Sequence, residues 1–101
     1  MTEEKRGARR HPLTASAELI DVETDARLKA RTSDVSTVGC YLDTMSTLPA
    51  GTEVRVKISH NEATVTVLGI IVNSQPNLGM GIRFTDVSSE DRELLQMWLG
   101  E

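Results

Sequence analysis

Ala63-Thr64-Val65-Thr66-Val67-Leu68-Gly69-Ile70-Ile71-Val72-Asn73 is the stretch on which the fold class turns. Through Val67 its apolar residues alternate with threonine at period two, which places one set on a packed face and the other in water, as a strand does. A helix would instead repeat its apolar residues every three or four positions. After Gly69 the parity of the apolar positions shifts, so a bulge or bend is predicted in one long strand spanning Ala63 to Asn73.

The same alternation extends outward in both directions. Val54, Val56 and Ile58 alternate with Arg55 and Lys57, and Met80, Ile82 and Phe84 alternate with Gly81 and Arg83 after a turn at Gln75-Pro76-Asn77. Leu13 to Val22 reads as a strand with Leu13, Ala15, Ala17 and Leu19 on one face. A turn is expected at Asp21 to Asp25, followed by a strand in which Leu28 and Ala30 alternate with Arg27, Lys29 and Arg31. Short strands joined by short turns predict a small antiparallel barrel, which removes open edges by closing the sheet. The period then changes. Ser88 and Asp91 form a capping pair, and Leu94, Leu95, Trp98 and Leu99 share a face of a helix predicted over 88–100, able to plug one end of the barrel. Trp98 is expected in the core rather than as a ligand stack.

Composition bounds the function. A chain of 101 residues with 39% hydrophobic residues supports one modest core and no large internal site. Its net charge of −4 argues against general binding of nucleic acid or anionic lipid. The first eleven residues form a different segment, a basic polar arm with Lys5, Arg6, Arg9 and Arg10 against Glu3 and Glu4, and residues 12–101 form the folded body. Cys40 is the only cysteine, which excludes an intramolecular disulfide and suits a reducing cytoplasm. The longest apolar run, Ile70 to Val72, is too short to cross a membrane, and the charged amino end suggests neither a secretory signal nor a lipid anchor. His11 and His60 are isolated and make a poor metal set. Ser36 has no sign of a Ser-His-Asp arrangement, and Asp43, Glu53 and Glu62 read as surface carboxylates, so no enzyme is expected. Cys40 reads as a small packed residue.

Two constellations carry chemistry. Arg6, Arg9 and Arg10 offer planar forks suited to phosphate or to a guanine edge, although alone they also read as a solvating arm. In Asp34-Val35-Ser36-Thr37-Val38-Gly39 the carboxylate can accept from donor edges, the hydroxyl can bond a base or phosphate, and the glycine permits a tight turn or close backbone approach. Alone, this segment also reads as a turn between strands. The face of Arg27, Lys29 and Arg31 reads as solvated, or as a flank of a ligand site beside Asp34.

Taken together, Arg-x-x-x-Arg at Arg6 and Arg10, Pro12, and Asp-x-Ser-x-x-Gly at Asp34, Ser36 and Gly39 resemble the PilZ domain family over nearly the whole chain. The resemblance implies a six-stranded antiparallel β-barrel with a C-terminal helix that binds the bacterial second messenger cyclic di-GMP. It implies that Arg6 and Arg10 grip guanine and phosphate from a flexible segment, that Asp34 and Ser36 engage guanine, and that Gly39 shapes the turn. Arg9 stands beside the motif, facing either a phosphate or water. The expected function is a receptor that orders its arm on the ligand and signals to a downstream effector protein, with a homodimer left open and no cofactor beyond the ligand. The alternative is a nucleotide-independent interaction adaptor of the same fold.

Overall fold

The computed structural model describes residues 10–101, and in them the alternating segments pair antiparallel around a closed sheet. The elements are β1 (His11–Pro12), β2 (Ser16–Asp21), β3 (Arg27–Val35), β4 (Gly39–Asp43), β5 (Glu53–His60), β6 (Ala63–Gln75), β7 (Gly79–Asp86) and α1 (Ser89–Leu99). The order β3-β2-β5-β6-β7-β4 returns to its start through a β3–β4 pairing, which closes the six-stranded antiparallel barrel expected from the sequence. The two-residue β1 is an addition, paired with β3 at His11↔Val35 and Pro12↔Asp34.

The predicted strand Leu13 to Val22 is shorter, with its ladder confined to Ser16–Asp21. The reason lies in the pairing with β3, which passes from Pro12↔Asp34 to Ser16↔Arg31 and so leaves residues 13–15 opposite only residues 32–33. The chain between β1 and β2 steps out of the ladder there, and the buried Thr32 hydroxyl bridges the step, accepting from Ala15 N–H at 2.9 Å and donating to the Leu13 carbonyl at 2.5 Å. The strand from Ala63 is longer than expected and reaches Gln75, with shifts against β7 at Leu68/Gly69 and again at Ile71/Asn73. A side chain at Gly69 would meet the Arg83 carbonyl at 2.9 Å, so this bend needs glycine for backbone approach.

Inward residues of all six barrel strands merge into one core with Leu95 and Leu99 of α1. Leu19, Leu42, Ile58, Ile71, Met80 and Ile82 are almost wholly excluded from water, each contributing about 1.5–3 kcal/mol of burial. Ser88 caps α1 by accepting from Asp91 N–H, and Gly100 ends it in the left-handed conformation, in agreement with the predicted limits. Because β7 begins its ladder with β6 only at Leu68, the start of β6 pairs with β5 alone. α1 lies against this part of the sheet, where Thr66 N–H donates to Asp91 Oδ2 at 3.4 Å. Trp98 is half-buried against the core and meets His60 edge to face, with ring centroids 5.4 Å apart. Among the described residues no helix is long and apolar enough to cross a membrane.

The β5–β6 hairpin turns on Asn61 and Glu62, at φ of 51° and 65°. Both values lie in the left-handed region, where glutamate carries a Cβ penalty that glycine lacks. Glu62→Gly is expected to raise stability by about 0.5–1 kcal/mol, read as a higher urea midpoint at unchanged slope.

Candidate functional site

The site is built on the shared edge of β3 and β4. Asp34 faces outward from β3 with Pro12 of β1 as its partner on one side and Tyr41 of β4 on the other. β1 therefore brings the root of the basic arm directly alongside Asp34. Arg10, the residue before β1, donates from Nη1 to Asp34 Oδ1 at 2.5 Å. This ion pair is partly open to water, with side-chain exposures of 53% and 33%. Such a pair contributes only about 0–1 kcal/mol, so its groups can change partners at small cost. Arg6 and Arg9 lie outside the described residues.

Ser36 begins the loop that links β3 to β4 and is buried. Its Oγ accepts from Val38 N–H and Gly39 N–H, both at 3.1 Å, and donates to the Gly39 carbonyl at 3.2 Å. The hydroxyl thus satisfies the backbone of its own loop, so the serine holds the turn's shape. Phe84 N–H donates to the Val38 carbonyl at 2.8 Å and ties the loop to β7. Gly39 is required for close approach rather than for an unusual torsion, since a Cβ there would sit 2.5 Å from the Ile82 carbonyl oxygen. Of the residues singled out from the sequence, the structure brings Arg10 and Asp34 into contact and places Ser36 and Gly39 in the loop beside them.

Two neighbours escaped the sequence analysis as site residues. Tyr41 lies two positions beyond Gly39, on the same outward face, with Asp34 and Gly81 as its cross-strand partners. Its ring covers Gly79 and its hydroxyl donates to Gln75 Oε1 at 2.6 Å. Arg83 is the cross-strand partner of Gly39 and is exposed. The available signal was face parity: Tyr41 and Arg83 share the outward phase of strands whose inward residues are apolar. Asp34, Tyr41 and Arg83, with Arg10, make a surface that combines an acceptor, an aromatic ring and two guanidinium groups, a set matched to a purine bearing an anionic group.

Cys40 lies beneath this surface as the partner of Val35. Burial pushes its thiol up to about 12; the charge of Asp34 adds to the rise and Arg10 opposes it. The thiol is inert packing, as expected from the sequence. At the foot of the arm His11 Nε2 lies 3.0 Å from Glu101 Oε2, which joins the arm root to the end of the chain. Among the described residues no three His, Cys, Asp or Glu side chains gather as a metal site.

Comparison with known proteins is consistent with this fold. The family model described as PilZ domain matches residues 4–101. The chain superimposes on the Bacillus subtilis inhibitor of motility MotI/DgrA with a TM-score of 0.77 at 11% identity, covering 98% of this chain and 50% of that one. It therefore spans half the length of that protein. It also superimposes on the PilZ domain of CeSA from a cellulose-synthesizing bacterium, with a TM-score of 0.70 at 16% identity over 91% of this chain and 95% of that one. At these identities the likeness is one of fold. No curated protein matches the chain.

Gly39→Ala is expected to cost about 1–3 kcal/mol by forcing β4 from β7, seen as a lowered urea midpoint. The buried thiol gives a pH signature. With its folded value raised above the ordinary 9.0, the stability it confers is fully present below pH 9.0 and is lost as pH rises toward about 12, because the unfolded chain releases a proton that the folded chain retains. Urea midpoints above pH 9.0 should therefore fall more steeply for the native chain than for Cys40→Ala.

Proposed function

Because the chain belongs to the PilZ domain family, we propose that it is a receptor for cyclic di-GMP that converts binding into the ordering of its basic arm. The observation that carries this reading is the contact between Arg10 and Asp34, made where β1 fixes the arm root along the motif strand. It sets Arg10, from one half of the motif, against Asp34, from the other, although they are separated in sequence.

Cyclic di-GMP presents two guanine edges and two phosphates. In this reading Asp34 accepts from the donor edge of a guanine, while Arg10 and Arg6 supply forks to phosphate and to the O6/N7 edge, with Arg9 adjacent. Ser36 and Gly39 act by holding the loop, a role supported by the three hydrogen bonds of Ser36 Oγ and the tight approach at Gly39. Arg10 exchanges an exposed carboxylate for a doubly charged ligand. The arm then folds against the barrel and presents a new surface to a downstream effector protein. The protein acts by binding, without catalysis, in the bacterial cytoplasm, where a single free thiol remains reduced.

Calorimetry with cyclic di-GMP tests the reading. Saturable binding is expected, and Arg10→Ala or Asp34→Ala should each weaken it about tenfold or more, as loss of charge-assisted hydrogen bonds worth ~1.5–3 kcal/mol requires. An amide spectrum of the arm that stays unchanged at saturation would refute the ordering step, and absence of heat at micromolar protein would refute the receptor itself.

A further inference from the structure

The outer face of β3, β2, β5 and β6 carries a second charged surface beside the Arg10–Asp34 contact. Three cross-strand rows compose it. Arg31, Ser16, Ser59 and Thr64 form the first, Lys29, Glu18, Lys57 and Thr66 the second, and Arg27, Ile20, Arg55 and Leu68 the third. Five of the chain's eleven Lys and Arg residues thus share one face, with Glu18 as the only carboxylate in these rows. Glu18 Oε2 lies 3.6 Å from Arg27 Nη1, and Lys29 and Lys57 flank it as cross-strand partners.

Clustering like charge in this way does not serve stability. Five cations on adjacent strands repel, and a chain of net charge −4 has carboxylates enough to intersperse among them. The carboxylates instead border the face. Asp21 ends β2, Glu23 and Asp25 occupy the turn after it, Asp43 of β4 is the outer partner of Arg31, Glu62 lies in the β5–β6 turn, and Asp91 lies at the adjoining start of α1. Between Lys29 and Lys57 runs an open groove of about 570 Å³ that is also lined by Ser16, Ser59, Thr64 and Thr66, so hydroxyl donors accompany the ammonium groups, with Glu18 between the two lysines as its one carboxylate.

We propose that this face docks a short acidic segment of a partner protein, its carboxylates spread over the three rows. The border decides the class of occupant. A nucleic acid strand running beyond three rows meets the carboxylates at either end, and the face offers no aromatic ring for a base to stack upon. A short acidic peptide ends before that border. Among the described residues no ion pair links the five cations of this face to Asp34, so the two surfaces can be tested separately.

The test is an amide titration of the full chain with octaglutamate as probe. Shifts confined to β2, β3, β5 and β6 are expected. Lys29→Gln with Lys57→Gln should weaken binding about tenfold while leaving cyclic di-GMP affinity unchanged, and added salt should weaken it further. Asp34→Ala should retain peptide binding, which separates failure of this proposal from failure of the nucleotide reading. Shifts located elsewhere, affinity indifferent to the paired lysine substitutions, or tighter binding of oligothymidylate of equal charge at the same face would each overturn it.

Discussion

Closure of the sheet between β3 and β4 is the constraint from which the site follows. The two strands are consecutive in sequence, and the loop between them contains only Ser36, Thr37 and Val38. In a connection this short the backbone groups have few partners of their own, and the Ser36 hydroxyl supplies three hydrogen bonds inside it. Once the pair forms, Asp34 stands beside Tyr41, and Cys40 turns into the core under both. The candidate surface is thus a by-product of completing the barrel: the residues that seal it also display the carboxylate.

The surface chemistry is arranged so that different parts are held with different firmness. The loop is fixed by backbone bonds and by a glycine pressed against the next strand. Among the described residues the Arg10 side chain is held by an exposed ion pair, and its backbone is anchored by the two-residue β1 together with the Thr32 bridge. A rigid acceptor met by a loosely held donor is the arrangement that lets a charged guest replace one contact without disturbing the frame. On the barrel wall formed by β2, β3, β5 and β6 five cations share a face with one carboxylate, Glu18, which leaves a local excess of positive charge for an acidic protein.

Much of the barrel was legible because strand alternation is a direct image of burial: Val54, Val56, Ile58, Met80 and Ile82 all point inward as their spacing requires. The helix was legible for the same reason, with Ser88 and Gly100 marking its ends chemically. What escaped depends on contacts between distant segments. β1 has no pattern of its own, being two residues held by β3. β4 is short and begins within the motif, so its strand character hides behind its turn residues. The break in the Leu13 to Val22 strand is caused by the changed pairing with β3 and by one threonine hydroxyl, neither visible from local periodicity. At the candidate site, Asp34, Ser36 and Gly39 were singled out through the family resemblance, since residue type and spacing alone also read as a turn between strands. Tyr41 and Arg83 required knowing which strands are neighbours, and Ser36's engagement with its own loop required coordinates.

The proximity of His11 to Glu101 gives the molecule a topological property apart from any ligand. His11 and Glu101 lie at one corner, so the barrel between them can be spliced into a loop of a host protein without stretching that loop apart.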